Sequence, residues 1–237
     1  MEQAEEPDLE KDSIIDNKYT IIRKIGQGAF SKVYLVQDRN DQNEYAAKIL
    51  LQSKPQIEKS NLLYEVKILK ILKKKITTNI CITLYHDSGE GEISKPKDGN
   101  NGNIIINNRL YLISNYLSNG NLLRYVEKTG EGFNEKYTKI IFYKILEGVQ
   151  FIHNSDICHL DIKLENILLD DHYNQIITDF GLSEIMEKNK EGDYKNIDKR
   201  GRGTPYYMCP EMWKNKGYNG VTADIFSLEV CLLYFSY

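Results

Sequence analysis

The order of apolar patterns along the chain predicts an α+β fold, with strands gathered around one helix first and a mainly helical remainder after them. Three observations carry that prediction. Short apolar runs bounded by turn residues recur between Tyr19 and Tyr116. A single stretch at helical spacing, residues 57–74, interrupts them. A longer helical pattern follows at residues 134–154. The 237 residues suffice for one large domain or two small lobes with a substantial core. With 41% hydrophobic and 27% charged residues, the composition is that of a soluble globular protein. A net charge of −3 supplies no field for nucleic acid or an anionic membrane.

Residues 1–17 are acidic and aperiodic, and read as a disordered leader; residues 1–10, which lack an apolar run, are expected to be neither a signal peptide nor an anchor. Residues 19–25 read as a strand, Gly26-Gln27-Gly28-Ala29-Phe30-Ser31 as a glycine-rich turn, and residues 32–36 as a second strand. Gly26 and Gly28 would let backbone N–H groups approach phosphates with no Cβ in the way, although Gly-x-Gly-x-x-Ser also fits a plain hairpin turn. Residues 44–50 form an apolar strand around Lys48. If that lysine faces inward it needs an anionic partner; at a sheet edge it does not. In the helix 57–74 the acids are Glu58 and Glu65, and Glu65 is the one in register with the apolar face of Leu62, Val66 and Leu69.

A further strand is expected at residues 80–85, then a solvated insertion at 87–103, then a strong strand at 109–116. Asn119-Gly120-Asn121-Leu122 turns the chain into a short helix, and the helix 134–154 carries a broad apolar face. Residues 167–169 and 175–178 make a hairpin about Asp170-Asp171. Cys81, Cys158, Cys209 and Cys231 are too scattered for a zinc site or a disulfide framework, which favours a reducing compartment. The apolar run at 230–235 is far short of the ~20 residues that span a bilayer.

Two motifs sharpen this outline. Asp161-Ile162-Lys163-Leu164-Glu165-Asn166 is followed by Asp179-Phe180-Gly181. Taken singly, Asp161 fits a turn and Asp179 a strand end. Taken together, and with the strand, glycine turn, strand and Lys48 before them, they resemble the catalytic centre of eukaryotic protein kinases. The resemblance runs from Tyr19 to the last residue. Lys163 two residues after Asp161, with Gly203-Thr204-Pro205, looks like the serine/threonine branch, and Asp-Phe-Gly-Leu-Ser resembles the calcium/calmodulin-dependent group.

The resemblance implies a bilobal protein-kinase-like fold. A small antiparallel sheet lobe with one helix and a hinge would occupy residues 18–117, and a mainly helical large lobe residues 118–237, truncated after its central helix. It implies transfer of the γ-phosphoryl of ATP, with Mg²⁺, to Ser or Thr hydroxyls of protein substrates. Asp161 would accept the substrate hydroxyl proton and Lys163 would neutralise the transferred group. Lys48, paired with Glu65, would grip the phosphates; Asn166 and Asp179 would hold the metal. Nucleotide contacts would come from Ile25, Gly26, Gln27, Gly28, Ala29, Phe30, Ser31, Lys32 and Val33, and from Ala46, Lys48, Asn115, Leu117, Asn121 and Leu168. Ser114 would be the gatekeeper, and Asp224 would accept hydrogen bonds from the catalytic-loop backbone. Residues 179–211 correspond to the activation segment, with a mobile middle at 187–202. Partners would be protein substrates and ATP, with neither nucleic acid nor membrane, in the cytoplasm or nucleus.

The chain departs from the family pattern at named positions. Ser31 replaces the third glycine, Leu160 the arginine before Asp161, Cys209 an alanine, and Phe226 and Glu229 the Trp and Gly of the central helix. Lys199-Arg200-Gly201-Arg202 offers cations and no hydroxyl where an activating phosphate is expected. Both this and Leu160 predict activity independent of loop phosphorylation. The family arginine that pairs with the residue matching Glu211 is absent, and the apolar end at 230–235 is expected to be exposed. Two other readings stay open: an ATP-binding pseudokinase, and an interaction domain that binds no nucleotide.

Overall fold

A computed structural model describes residues 6–52, 56–76, 81–96, 103–129, 133–198, 202–214 and 217–235. The chain divides into two compact units, the first of residues up to Val66 with Leu84–Tyr116, the second of Lys67–Thr83 with Leu117–Tyr237. The division expected at 117/118 therefore lies one residue late, and residues 67–83 group with the second unit.

In the first unit, β1 (Ile14–Ile15), β2 (Tyr19–Gln27), β3 (Ser31–Asp38) and β4 (Glu44–Leu50) precede helix α1 (Gln56–Lys75). Two long strands, β5 (Tyr85–Pro96) and β6 (Asn103–Asn115), complete the sheet. All pairings are antiparallel, and the order β1-β2-β3-β4-β6-β5 closes on itself because the two residues of β1 pair with both β2 and β5. Ile15, Ile21, Val36, Ala47, Ile93 and Ile113 fill the enclosed core. Closure leaves no free edge along the core, which a two-residue strand achieves at little entropic cost.

Three expectations fail here, the last in part. The leader is not disordered over its described part: Ser13 and Ile15 are fully buried, Leu9 packs against the sheet core, and Ile15 pairs with Tyr19 and Ile93. Its acidity misled because the carboxylates meet cations of the sheet. The segment 87–103 is not a solvated insertion, since residues 87–96 belong to β5 and residue 103 to β6. Its polar, glycine-rich sequence hides the strand because Tyr111 lies across it. A Cβ at Gly89 would stand 2.9 Å from the Tyr111 hydroxyl, and one at Gly91 2.6 Å from Asp16 Cβ. Of the expected strand at 80–85, Tyr85 opens β5 and Ile82 makes an isolated bridge with Ile177, while Ile80 lies outside the described residues.

The second unit begins with α2 (Leu122–Thr129) and α3 (Glu135–Asn154), the latter capped by Asn134, whose side chain accepts from Tyr137 N. Next come β7 (Ile157–Cys158), β8 (Ile167–Leu169), β9 (Gln175–Ile177), β10 (Glu184–Ile185) and α4 (Gly220–Phe235). β8 pairs with β9, and β7 with β10. The polar stretch expected to be mobile carries defined contacts over residues 187–198. Lys188 bridges Tyr194, Ile197 bridges Tyr218, and Asp156 holds both Lys188 (2.8 Å) and the Tyr194 hydroxyl (2.8 Å). Residues 199–201 lie outside the described residues. In α4, Cys231 and Phe235 are buried while Leu233 and Tyr234 are exposed, so the apolar end is half covered rather than bare. Glu229 reaches solvent, as its place in a helix of apolar neighbours requires.

Candidate active site

In β4, Ala47 and Ile49 point into the sheet core, so strand alternation sends Ala46 and Lys48 to the other face. There the Lys48 ammonium meets Glu65 of α1 at 2.8 Å. Glu65 is 4% exposed and Lys48 24%. The strand lysine therefore faces inward and has the anionic partner that position demands. Glu58, the other acid of α1, instead accepts from Asn61.

The glycine-rich hairpin links β2 to β3, with Gly26 opposite Val33 and Gln27 opposite Lys32. A Cβ on Gly26 would come no nearer than 3.6 Å to Val33, and one on Gly28 no nearer than 3.7 Å to Ser31. Neither glycine has a positive φ. Neither a positive φ nor a close contact demands glycine at either position, and the two glycines leave the backbone there uncovered by any Cβ. The Gly28 N–H itself donates to Ser31 O at 2.8 Å and closes the tip. Phe30 and Ala29 lie at that tip, with Phe30 exposed, and Ile25 is half-buried in β2.

Three residues expected at the nucleotide have other engagements. The Lys32 ammonium is buried and bound by Asp8 at 2.6 Å and by the Glu6 carbonyl, so its side chain belongs to the fold. Asn115 Oδ1 accepts from Leu84 N at 2.7 Å, and Asn115 N donates to Leu84 O at 3.2 Å. Asn121 Oδ1 accepts from Arg124 N at 3.0 Å at the head of α2, the role that Asn favours there. Ser114 pairs with Ala46 across β4 and β6. Leu168, half-buried in β8, bridges Asn121, and Leu117 is buried.

The second unit gathers the other residues closely. α3 delivers the chain into β7 and then into the loop at 159–166. Asp224 of α4, fully buried, accepts from His159 N (2.8 Å) and Leu160 N (2.7 Å), and its Oδ2 lies 2.8 Å from His153 Nε2. A carboxylate fixed by two backbone donors holds the loop's turn, including Leu160 in the left-handed region at φ 63°. His159 lies 3.0 Å from Thr178 O through Nε2, and its ring centroid is 4.9 Å from that of the buried Phe180. Asp161 is 7% exposed. Its Oδ1 accepts from the Thr204 hydroxyl at 2.7 Å. Its Oδ2 accepts from Lys163 at 2.9 Å and from Asn166 Nδ2 at 3.0 Å. Lys163 also donates to Thr204 Oγ1 at 2.7 Å, so the three side chains form a closed ring of hydrogen bonds.

Asn166 donates from Nδ2 to both the carbonyl and the carboxylate of Asp161, which orients its Oδ1 as an acceptor. Asn166 O in turn accepts from Thr178 N and Thr178 Oγ1. That rung places Asp179, exposed between buried Thr178 and Phe180, one residue beyond it. Asp179 takes φ 63°, a conformation Asp tolerates better than most residues. No group of three or more His, Cys, Asp or Glu suited to a metal occurs among the described residues. A Mg²⁺ held by one carboxylate and one amide, with phosphate oxygens and water, requires none.

Sequence reasoning missed three participants. Thr204 was not linked to Asp161, yet the extended residue before Pro205 was a signal that its side chain could reach away from the turn. His159 lies inside the catalytic motif and went unassigned. His153 carried no signal beyond its helix face.

The protein kinase domain family matches residues 19–236. CBL-interacting serine/threonine-protein kinase 13 of Arabidopsis thaliana is 32% identical over 93% of this chain and 39% of its own length. CBL-interacting serine/threonine-protein kinase 8 of the same plant is 31% identical over 91% of this chain and 43% of its own. Serine/threonine-protein kinase PKH2 of Candida albicans is 31% identical over 90% of this chain and 21% of its own. The chain thus spans about two-fifths of the length of the plant relatives it matches. With the ring around Asp161, the Lys48–Glu65 pair and a match covering nearly all its length, the chain belongs to the eukaryotic protein kinases, on the serine/threonine side.

Proposed function

We propose that this chain transfers the γ-phosphoryl group of MgATP to Ser or Thr hydroxyls of protein substrates. The observation that carries the reading is the state of Asp161. A carboxylate has about four acceptor positions, and Thr204, Lys163 and Asn166 occupy three, which leaves one for a substrate hydroxyl. So placed, Asp161 orients the hydroxyl and takes its proton late, which suits a loose phosphoryl-transfer transition state. Lys163 sets a positive charge beside the incoming group, and Lys48 does the same for the phosphates from its fixed place against Glu65. Asn166 Oδ1 and the Asp179 carboxylate have the oxygen chemistry that Mg²⁺ prefers; bound there, the ion would neutralise phosphate charge. The bare backbone of Gly26 and Gly28 supports phosphate approach. Titration calorimetry tests the binding half. MgATP should bind the parent, and Asn166→Ala should lose about tenfold in Mg²⁺-dependent affinity. Equal binding with and without Mg²⁺ would contradict it.

The same reading holds that activity needs no phosphate on the activation segment. Leu160 is 3% exposed and packs in an apolar cluster with Met186, Met208 and Met212. Arg202 Nη1 meets Glu184 Oε1 at 3.0 Å, a side-chain carboxylate supplying the anion. The Thr204 hydroxyl is engaged by Asp161 and Lys163, so a phosphate there would break the ring. Chain shown by mass spectrometry to be unphosphorylated should keep full turnover; activation by added phosphate would refute this. Four free cysteines support a reducing, intracellular location.

A further inference from the structure

We propose that residues 6–10 act as a strap that positions the glycine-rich hairpin, with Asp8 as the positioning residue. The functional half of this inference rests on the nucleotide reading above; the structural half does not.

The Asp8 carboxylate lies 2.9 and 3.0 Å from Lys24 Nζ and 2.6 Å from Lys32 Nζ. Lys24 is in β2 and Lys32 in β3, and the two residues flank the glycine-rich run. One carboxylate therefore joins both strands at the base of the hairpin. Lys24 also reaches Gln27 Oε1 at 2.6 Å, extending the link by one residue towards the tip. Beyond Gln27 and Lys32 the Gly28–Ser31 hydrogen bond closes the loop and Leu51 N donates to Phe30 O at 3.0 Å, so the base that Asp8 joins sets the tip geometry together with these two bonds.

The strap has its own anchors. Leu9 N donates to the Tyr34 hydroxyl at 3.0 Å, and the Leu9 side chain packs on the sheet core. Glu6 Oε1 meets Arg109 Nη2 at 2.6 Å, and Glu6 Oε2 accepts from Gln52 N at 2.8 Å. Burial makes these contacts obligatory. The Lys32 side chain is 4% exposed and that of Arg109 7%, and among the described residues their carboxylate partners are Asp8 and Glu6. A cation buried to that degree without an anion is strongly unfavourable, so the sheet requires the strap in place. Phosphate grip depends on backbone donors held in a set geometry before the ligand arrives, and the strap supplies that constraint.

The test compares the full chain with Asp8→Ala and with Asp8→Ala/Lys32→Met, the second removing the cation that the first strands. Amide hydrogen exchange over residues 27–31 and MgATP affinity are read in each. Asp8→Ala should accelerate hairpin exchange by about tenfold and weaken MgATP binding several-fold, while exchange at residues 157–169 stays at the parent rate. The double variant should recover thermal stability yet keep the fast hairpin. Parent-like exchange in Asp8→Ala, equal acceleration in all strands, or a hairpin slowed again by Lys32→Met would each overturn the proposal. Should the parent bind no MgATP while the exchange result holds, the strap stands and the nucleotide reading falls.

Discussion

Thr204 is a hydroxyl that both donates to Asp161 and accepts from Lys163, and that double role makes it separable from the rest of the site. Thr204→Ala should lower kcat by about 10- to 100-fold and leave the ATP KM within about twofold, because it loosens the acceptor-aligning ring only. Thr204→Ser, which keeps the hydroxyl, should restore most of the rate; steady-state kinetics on both variants checks this. At the residue scale, much of the site was legible. The resemblance paired Lys48 with a helix Glu, the helix register picked Glu65, and one short motif grouped Asp161, Lys163 and Asn166. Thr204 is 41 residues from Lys163, and no periodicity links the two. Lys32 misled for a related reason: its partner Asp8 lies 24 residues back, in a stretch whose acidity looked like that of a solvated tail.

Among the elements, helices and short apolar strands could be read because their burial follows a period. The strand over residues 44–50 and the helix over 57–74 correspond to β4 and, within one residue at each end, to α1. β5 could not be read, because its glycines are there to accommodate Tyr111 and Asp16 rather than to turn. The hairpin of residues 188–194 is tied to Asp156, whose carboxyl the Lys188 ammonium and the Tyr194 hydroxyl hold below the usual carboxylate range. A depressed carboxyl stabilises above the unfolded pKa and loses that contribution as pH falls through the folded one. Protection of amides 188–194 should therefore be flat from pH 8 to pH 5 and fall only below the ordinary carboxylate range (about pH 4). Asp156→Asn should expose the hairpin at every pH. Hydrogen exchange against pH checks both; a loss near pH 6 would point to a different group.

For the whole molecule, the central claim is that a chain spanning about two-fifths of its plant relatives carries a working phosphoryl-transfer site. The first unit holds the Lys48–Glu65 pair and the glycine hairpin; the second, on its own, holds the ring around Asp161 with Asn166 and Asp179 beyond it. Each part is present in the sequence as a motif, and each motif becomes chemistry through partners that lie far along the chain. The most direct measurement is single-turnover transfer from γ-labelled MgATP to a mixed Ser/Thr peptide library, with the parent beside Asp161→Asn. The amide keeps the shape but gives up the charge that Lys163 neutralises and the basic oxygen that takes the hydroxyl proton. Labelled Ser and Thr are expected with the parent, and a loss of at least about 10²-fold with Asp161→Asn. A parent that binds MgATP yet transfers nothing, or an Asp161→Asn variant as fast as the parent, would contradict it.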